Sequence, residues 1–298
     1  FDLLIVNDSS DDNTEGVIKN FFKEEQREYR LINIDVNKGI AHARQTGLEE
    51  ASTEFILFVD SDDLAHLTMI EKQITKLNVD SNIMAVSCWS EFINLKGDRI
   101  RGGLFVGSTS KEGFMTLASR EKLVFLPVQT LFNRKIALSV GGYRLNGFPE
   151  GKPRYRDFCE DLDLWTRMSD LHKEEKYMIT IPEILYSYRK GNDGLSSNAV
   201  AMSLKMKFVK KNLKLRRSNN NEITFIQFLN GVSDIEMKKI KKNTEASYYL
   251  RNGFFLLGEK KFFKGVYFIT KSIFFDPKNF IQKIKSNSGI LKGNKKKI

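Results

Sequence analysis

The sequence predicts an α/β domain built on a parallel sheet, followed by a basic α-helical region. Three observations lead there. Short apolar runs alternate with helix-patterned segments over the first eighty residues. Two of those runs stop abruptly in acidic turns, "NDSSDD" at 7–12 and "DSDD" at 60–63. The formal charge of +11 over 298 residues is also uneven: residues 201–298 hold 23 Lys and Arg against 6 Asp and Glu, whereas residues 1–200 hold 25 against 31. Such asymmetry argues for two regions with different partners, divided here as 1–198 and 199–298.

Taken in order, Leu3–Val6 reads as a short buried strand, and "DSSDDNTEG" as a polar turn rich in helix caps. Val17, Ile18, Phe21 and Phe22 suit one helix face. Leu31–Ile34 is a second strand, 40–51 a helix, Glu54–Val59 a third strand, and about 65–77 a helix with Leu67, Ile70, Ile74 and Leu77 on one side. Ile83–Phe92 is a further strand. The Gly- and Ser-rich stretch 97–113 and the stretch 143–157 read as loops, the first of them mobile. "FCEDLDLWTRM" is helical in pattern: Leu164, Trp165, Met168 and Leu171 share a face, and Asp163 and Arg167 stand at i,i+4. "GNDGLSSN" at 191–198 is a loop and a boundary.

Ligands of parallel α/β sheets lie beyond the carboxyl ends of the strands, where both acidic turns fall. Acids also favour the first turn of a helix, which accounts for one or two of Asp60, Asp62 and Asp63 but not for three directly beyond a buried strand. The sharper reading is an oxygen-ligand site for Mg²⁺ or Mn²⁺, which take few protein carboxylates and complete their shell with water and substrate phosphates. His42, His66 and His172 show no ligand spacing. Cys88 and Cys159 form no disulfide framework, which favours a reducing cytoplasm. No apolar run approaches a membrane span, and no signal-peptide pattern is visible.

Four segments resemble family 2 glycosyltransferases. "VNDSSDDNTEG" at 6–16 is similar to their V-D-D-G-S-x-D turn. "NKGIAHARQTGLEEASTEFILFVDSDD" at 37–63 resembles the N-x-G-x-x-x-A-R-N-x-G segment that leads into F-L-D-S-D-D. "CEDLDLWTRM" at 159–168 is similar to E-D-x-D-L-x-x-R, and "LYSYRKGNDGLSSN" at 185–198 to the L-Y-x-Y-R segment that closes their catalytic domain. The resemblance implies a GT-A, Rossmann-like nucleotide-sugar-binding domain and inverting transfer from a UDP-sugar to a glycan or lipid-linked acceptor in surface polysaccharide or glycoconjugate synthesis. It also implies a divalent metal. Asp8 then matches the residue that meets the uracil, Asp60 and Asp62 the metal-binding D-x-D, Asp161 the base with Glu160 beside it, and Arg44 a basic position of the donor pocket. Arg44 reads equally well as a surface group or a glutamate partner.

The chain departs from the pattern in two places. It lacks a starting Met and opens inside a strand, so about thirty residues with a first strand and a P-x-Y-N-type turn are expected upstream. It also lacks a His near 190–196, where Arg189 or Lys190 could instead approach the diphosphate. The rivals are a nucleotidyltransferase on a related fold, which would need a basic, Gly-rich loop where "DSSDDNTEG" stands, and an inactive glycan- or membrane-binding domain.

Residues 246–277 read as a helical hairpin around "GEKK", with Gly253, Gly265 and Ser272 at small-residue positions. Phe262, Phe263, Tyr267, Phe268, Phe274 and Phe275 alternate with lysines. That is either a core face with a solvated basic face, or peripheral attachment to an anionic membrane at the inner face of the cell membrane. Nucleic acid has no recognised motif here.

Overall fold

A computed structural model describes residues 1–127, 129–190, 198–258, 260–278 and 280–281. The chain forms two compact units, one of residues 1–195 with 205–226, the other of residues 196–204 with 227–298. The linker expected at 191–198 lies outside the described residues apart from Asn198.

The first unit is a mixed α/β, Rossmann-like domain. In chain order it comprises β1 (Leu4–Asn7), α1 (Thr14–Glu25), β2 (Arg30–Asn33), α2 (Ile40–Glu50), β3 (Phe55–Leu57), β4 (Leu64–Ala65), α3 (Met69–Leu77), β5 (Ile83–Ile93), β6 (Arg99–Leu104), α4 (Lys111–Ser119), β7 (Leu131–Asn133), α5 (Arg134–Ser139), α6 (Glu160–Met168) and β8 (Tyr177–Arg189). β1 and β2 pair in parallel as a two-stranded sheet. The larger sheet runs β3-β7-β5-β8-β4, with β6 on β5. Within it only β5 and β8 are parallel.

The wholly parallel sheet expected from strand–helix alternation is therefore corrected. Alternation predicts right-handed crossovers, but β3, β4 and β7 are too short to declare a partner by their own pattern. β5 supplies the centre: Ile83–Cys88 is buried on both faces, as a central strand requires. Around it pack Phe132, Leu164, Trp165, Met168, Met178 and Tyr186, with the Trp165 ring edge-on to Phe132 at 5.0 Å.

Two further expectations change. The stretch 97–113 is not one loop, because Arg99–Leu104 is strand β6, returning from β5 through a turn in which the Asn94 side chain accepts from the Lys96 and Asp98 amides. Its glycines are there for close approach: a Cβ on Gly103 would lie 2.2 Å from the Ser90 carbonyl oxygen. The helix expected from 65 begins at Met69, because Leu64–Ala65 pairs with β8 instead. Asp60–Asp63 is thus not the first turn of a helix.

α7 (Ala199–Arg217) and α8 (Phe225–Asn230) follow. Residues 205–226 are held in the first unit by a chain of ion pairs. Arg144 binds Glu222, Glu222 binds Arg216, and Asp170 accepts from both Arg216 and Arg217.

The second unit is helical. α9 (Asp234–Gly258) and α10 (Phe262–Phe275) pack antiparallel. They meet at small residues, as expected: a Cβ on Gly253 would lie 3.0 Å from the Gly265 carbonyl oxygen, and the buried Ser272 hydroxyl donates to the Ala246 carbonyl at 2.7 Å. Phe275 stacks on Tyr249, and Phe268 meets the same ring edge-on. Among the described residues no helix is long and apolar enough to cross a membrane.

Candidate functional site

Asp8 follows β1 and faces the start of α2. Its Oδ1 accepts from the Lys38 amide at 2.9 Å and its Oδ2 from the Gly39 amide at 2.7 Å. Asp157, from a 3-10 turn at Tyr155–Asp157, accepts from the Ala41 amide at 3.2 Å. Two carboxylates thereby satisfy amides that the helix cannot, at its positive end. Gly39 permits this. Its φ is +93°, and a Cβ there would sit 2.1 Å from Asp157 Oδ2. Arg154 pairs with Asp157 at 3.1 Å and donates to the Asn37 carbonyl and side-chain oxygens. Burial pushes the Asp157 carboxyl up, with the Ala41 amide and Arg154 opposing it.

Arg44, one turn further along α2, is 7% exposed. One arm of its guanidinium donates to Asp60 Oδ1 at 3.0 Å, and the other binds Glu160. Burial would lower the Arg44 pKa, but Glu160 and then Asp60 outweigh it and hold the guanidinium charged, above its ordinary value. The surface alternative for Arg44 is thereby corrected, since the helix face that carries it is covered.

Glu160 opens α6 and is buried. Burial pushes it up to about 7, against the pull of Arg44. Asp161, half-buried, accepts from the Leu162 amide at 2.7 Å. Burial raises it too, Arg44 opposing and Asp60 adding to the rise. Both carboxylates are presented by a sharp turn at Cys159, a non-glycine residue at φ 51°. Burial pushes the Cys159 thiol up to about 12, so it is no nucleophile at neutral pH. Asp163, behind them, forms the expected pair with Arg167 at 3.1 Å and also accepts from Arg144.

The acidic turn is fastened to β8. The Arg189 amide donates to Asp63 Oδ1 at 2.7 Å, and its guanidinium donates to the carbonyls of Asp62, Asn94 and Leu95. Two of the three guanidinium nitrogens, Nε and Nη1, are thus engaged with backbone carbonyls. The Lys190 ammonium lies over the Phe92 and Tyr188 rings. Asp62 points outward, exposed, and its carboxylate meets no hydrogen-bond or ion-pair partner among the described residues. Among those residues no three His, Cys, Asp or Glu side chains cluster as a metal cage. An exposed carboxylate two positions from one already paired to an arginine suits a hard cation whose remaining ligands are water and substrate oxygens.

Arg44, Asp60, Glu160 and Asp161 therefore stand within one electrostatic group. Asp8 serves the α2 start, and Asp62 stands apart. Asp157 was not anticipated. The one signal for it is that α2 carries no acid in its own first turn, which leaves its amides to a distant donor of charge. Tyr143, buried beside Arg44 with its hydroxyl pKa raised by burial, gave no sequence signal at all.

Residues 1–137 match Glycosyl transferase family 2. The chain is 31% identical over 130 residues to a teichoic acid poly(glycerol phosphate) polymerase of Staphylococcus epidermidis, an alignment that covers 42% of this chain and 18% of that protein. An uncharacterized glycosyltransferase of Haemophilus influenzae is 28% identical over 127 residues, covering 43% of this chain and 49% of its own. The chain thus spans half or less of the length of these two curated relatives. Among solved structures, GalNAc-T7 with UDP, GalNAc and Mn²⁺ superposes with a TM-score of 0.53 at 11% identity, covering 78% of this chain and 50% of that one. At that identity the likeness is one of fold.

Proposed function

We propose that the protein, whose residues 1–137 match glycosyl transferase family 2 and whose fold is of the GT-A type, is an inverting glycosyltransferase. It moves a sugar from a UDP-sugar to a hydroxyl of a glycan or lipid-linked acceptor, in surface polysaccharide or glycoconjugate synthesis. The observation that carries the reading is the Arg44 bridge, which ties Asp60 to the helix start that bears Asp161. One basic residue thereby fixes the spacing between the donor-side carboxylate and the base.

Asp161 is the base: it is the more accessible of the two acids, and it takes the proton of the acceptor hydroxyl as that oxygen attacks the sugar. Glu160, buried against Arg44, is a positioning residue. Asp62 and Asp60 would hold the Mn²⁺ or Mg²⁺. The cation, when bound, supplies Lewis-acid stabilisation of the leaving group. Asp8 and the α2 start bind the nucleoside, with Arg44 orienting the carboxylates beneath it. Cys88 and Cys159, which form no disulfide, fit a reducing cytoplasm.

The test is UDP release from a panel of UDP-sugars, with and without Mn²⁺, by the natural full-length protein. Metal-dependent release with one sugar supports the reading. Binding of UDP-sugars without release in the presence of candidate acceptors would leave a binding domain instead.

A further inference from the structure

α10 turns Gly265 and Ser272 inward to α9. Its opposite face carries Phe262, Phe263, Val266, Tyr267, Ile273 and Phe274, all exposed, with Phe263 at 91% and Phe274 at 86%. Helical spacing puts these six on one stripe. The expectation that the aromatics form a core face is therefore corrected: Phe268 and Phe275 pack on Tyr249, while the others face outward. Lysines border the stripe. Lys260 and Lys261 precede the helix, and Lys264 and Lys271 lie seven residues apart along one flank. The Lys271 ammonium stands 5.2 Å from the Tyr267 ring centre. At the far end a cleft of about 400 Å³ is lined by Lys238, Lys241 and Lys242 of α9, with Phe274, Phe275 and a single acid, Glu245.

We propose that this face of the second unit docks on a bilayer containing anionic phospholipid. Phe263 and Phe274 enter the boundary between headgroups and acyl chains, and lipid phosphates meet the lysines of the cleft. A helix with an aromatic stripe and basic borders lies in the plane of such an interface. Charge selects the occupant. Across 234–281 the described residues hold ten Lys and Arg against four Asp and Glu. A second copy seated on the same stripe would bring its lysines against these, whereas an anionic surface complements them. The inference rests on the second unit alone and stands apart from the proposed transferase activity.

The experiment is co-sedimentation of the full chain with vesicles of phosphatidylcholine alone and with rising phosphatidylglycerol, at low and high salt. Helix content is checked by circular dichroism for each variant. Binding is expected to require phosphatidylglycerol and to weaken as salt shortens the Debye length. Phe263→Ser with Phe274→Ser, both at exposed positions, should weaken it by at least about tenfold. Lys238→Glu with Lys241→Glu and Lys242→Glu should abolish it. Inorganic phosphate at the same anion concentration should leave the bound fraction nearly unchanged; full release by phosphate would mark a site for the free ion and overturn the proposal. Equal binding to neutral vesicles would overturn it too, as would binding that both variant sets leave intact. A dimer in sedimentation equilibrium that the two serine substitutions dissolve would assign the stripe to a second copy instead.

Discussion

Arg44 Nη2 lies 3.0 Å from Asp60 Oδ1 while the other arm of the same guanidinium binds Glu160, 116 residues away in the chain. Three ionisable groups share a largely buried place, and among the described residues the arginine is the one cation in direct ion-pair contact with both carboxylates. Removing it would leave Glu160 buried without its ion-pair partner, with the Lys205 ammonium acting on it from beyond contact. Breaking a buried pair in that way costs roughly 3–5 kcal/mol. Arg44→Met should therefore lower the urea midpoint sharply. The loss should be smaller at pH 5 than at pH 8, because a Glu160 that has lost Arg44 can take up a proton in the folded state. An equal loss at both values would mean that Glu160 does not depend on Arg44.

Asp161→Asn should leave UDP binding nearly intact while initial transfer rates fall by roughly 10²–10⁴, the range for loss of a general base. Burial raises the Asp161 carboxyl. A base must be ionised to act, so kcat/KM should fall as pH drops through that raised value, with its acid limb above the ordinary carboxylate range. Glu160→Gln should reduce rate and stability together. If it alone removes turnover at unchanged stability, the base is Glu160.

Asp62→Asn should keep the fold, since the exposed carboxylate makes no hydrogen bond or ion pair among the described residues, and should raise the Mn²⁺ concentration needed for half-maximal activity. A neutral amide oxygen is a weaker ligand for a hard cation. Titrating Mn²⁺ against both proteins checks it, and identical curves would remove Asp62 from the site.

Gly39→Ala meets two obstacles, a φ of +93° and a Cβ placed 2.1 Å from Asp157 Oδ2. The backbone strain alone is on the order of 1–3 kcal/mol. Combined with Asp157→Ala, the substitution should cost less than it does alone, because the clash disappears and only the strain remains. Denaturant midpoints of the two single variants and the double variant give the comparison.

Lys205 is fully buried, and its ammonium has no hydrogen-bond partner among the described residues; it stands 4.1 Å from the centre of the Phe148 ring. Burial lowers it to about 8. Below that value it is charged in both folded and unfolded chains, and the folded state bears the burial cost. Between about 8 and the ordinary 10.5 the folded chain sheds its proton first, so the cost is relieved as pH rises. Lys205→Met should thus stabilise the protein at pH 7, by about 3 kcal/mol at most, and the gain should fade above pH 10. Thermal melts at both pH values measure it, and a destabilised variant at pH 7 would mean that the cation–aromatic contact outweighs burial.

By itself the sequence determined β1, α1, β2, α2, β3, α3, β5 and α6 in their order, because apolar period is a local property that survives in any fold; the short β4, β6 and β7 escaped it. It determined the two acidic turns, the α6 face of Leu164, Trp165 and Met168, and the hairpin seam at Gly253, Gly265 and Ser272. Family resemblance picked out Asp8, Arg44, Asp60, Glu160 and Asp161. Tertiary structure decided the rest. Strand direction in the larger sheet follows from which backbone edges β5 leaves open, and a three-residue strand such as β3 carries too few side chains to encode its partner. Whether Arg44 met solvent or a carboxylate depended on α6, more than a hundred residues downstream. Asp157 became a capping group only because the 3-10 turn before α6 folds over Gly39. The α10 stripe has the same origin. A pattern of phenylalanines says that a helix has an apolar side, but a helix can bury only the side its neighbour covers, and α9 covers the one with Gly265 and Ser272.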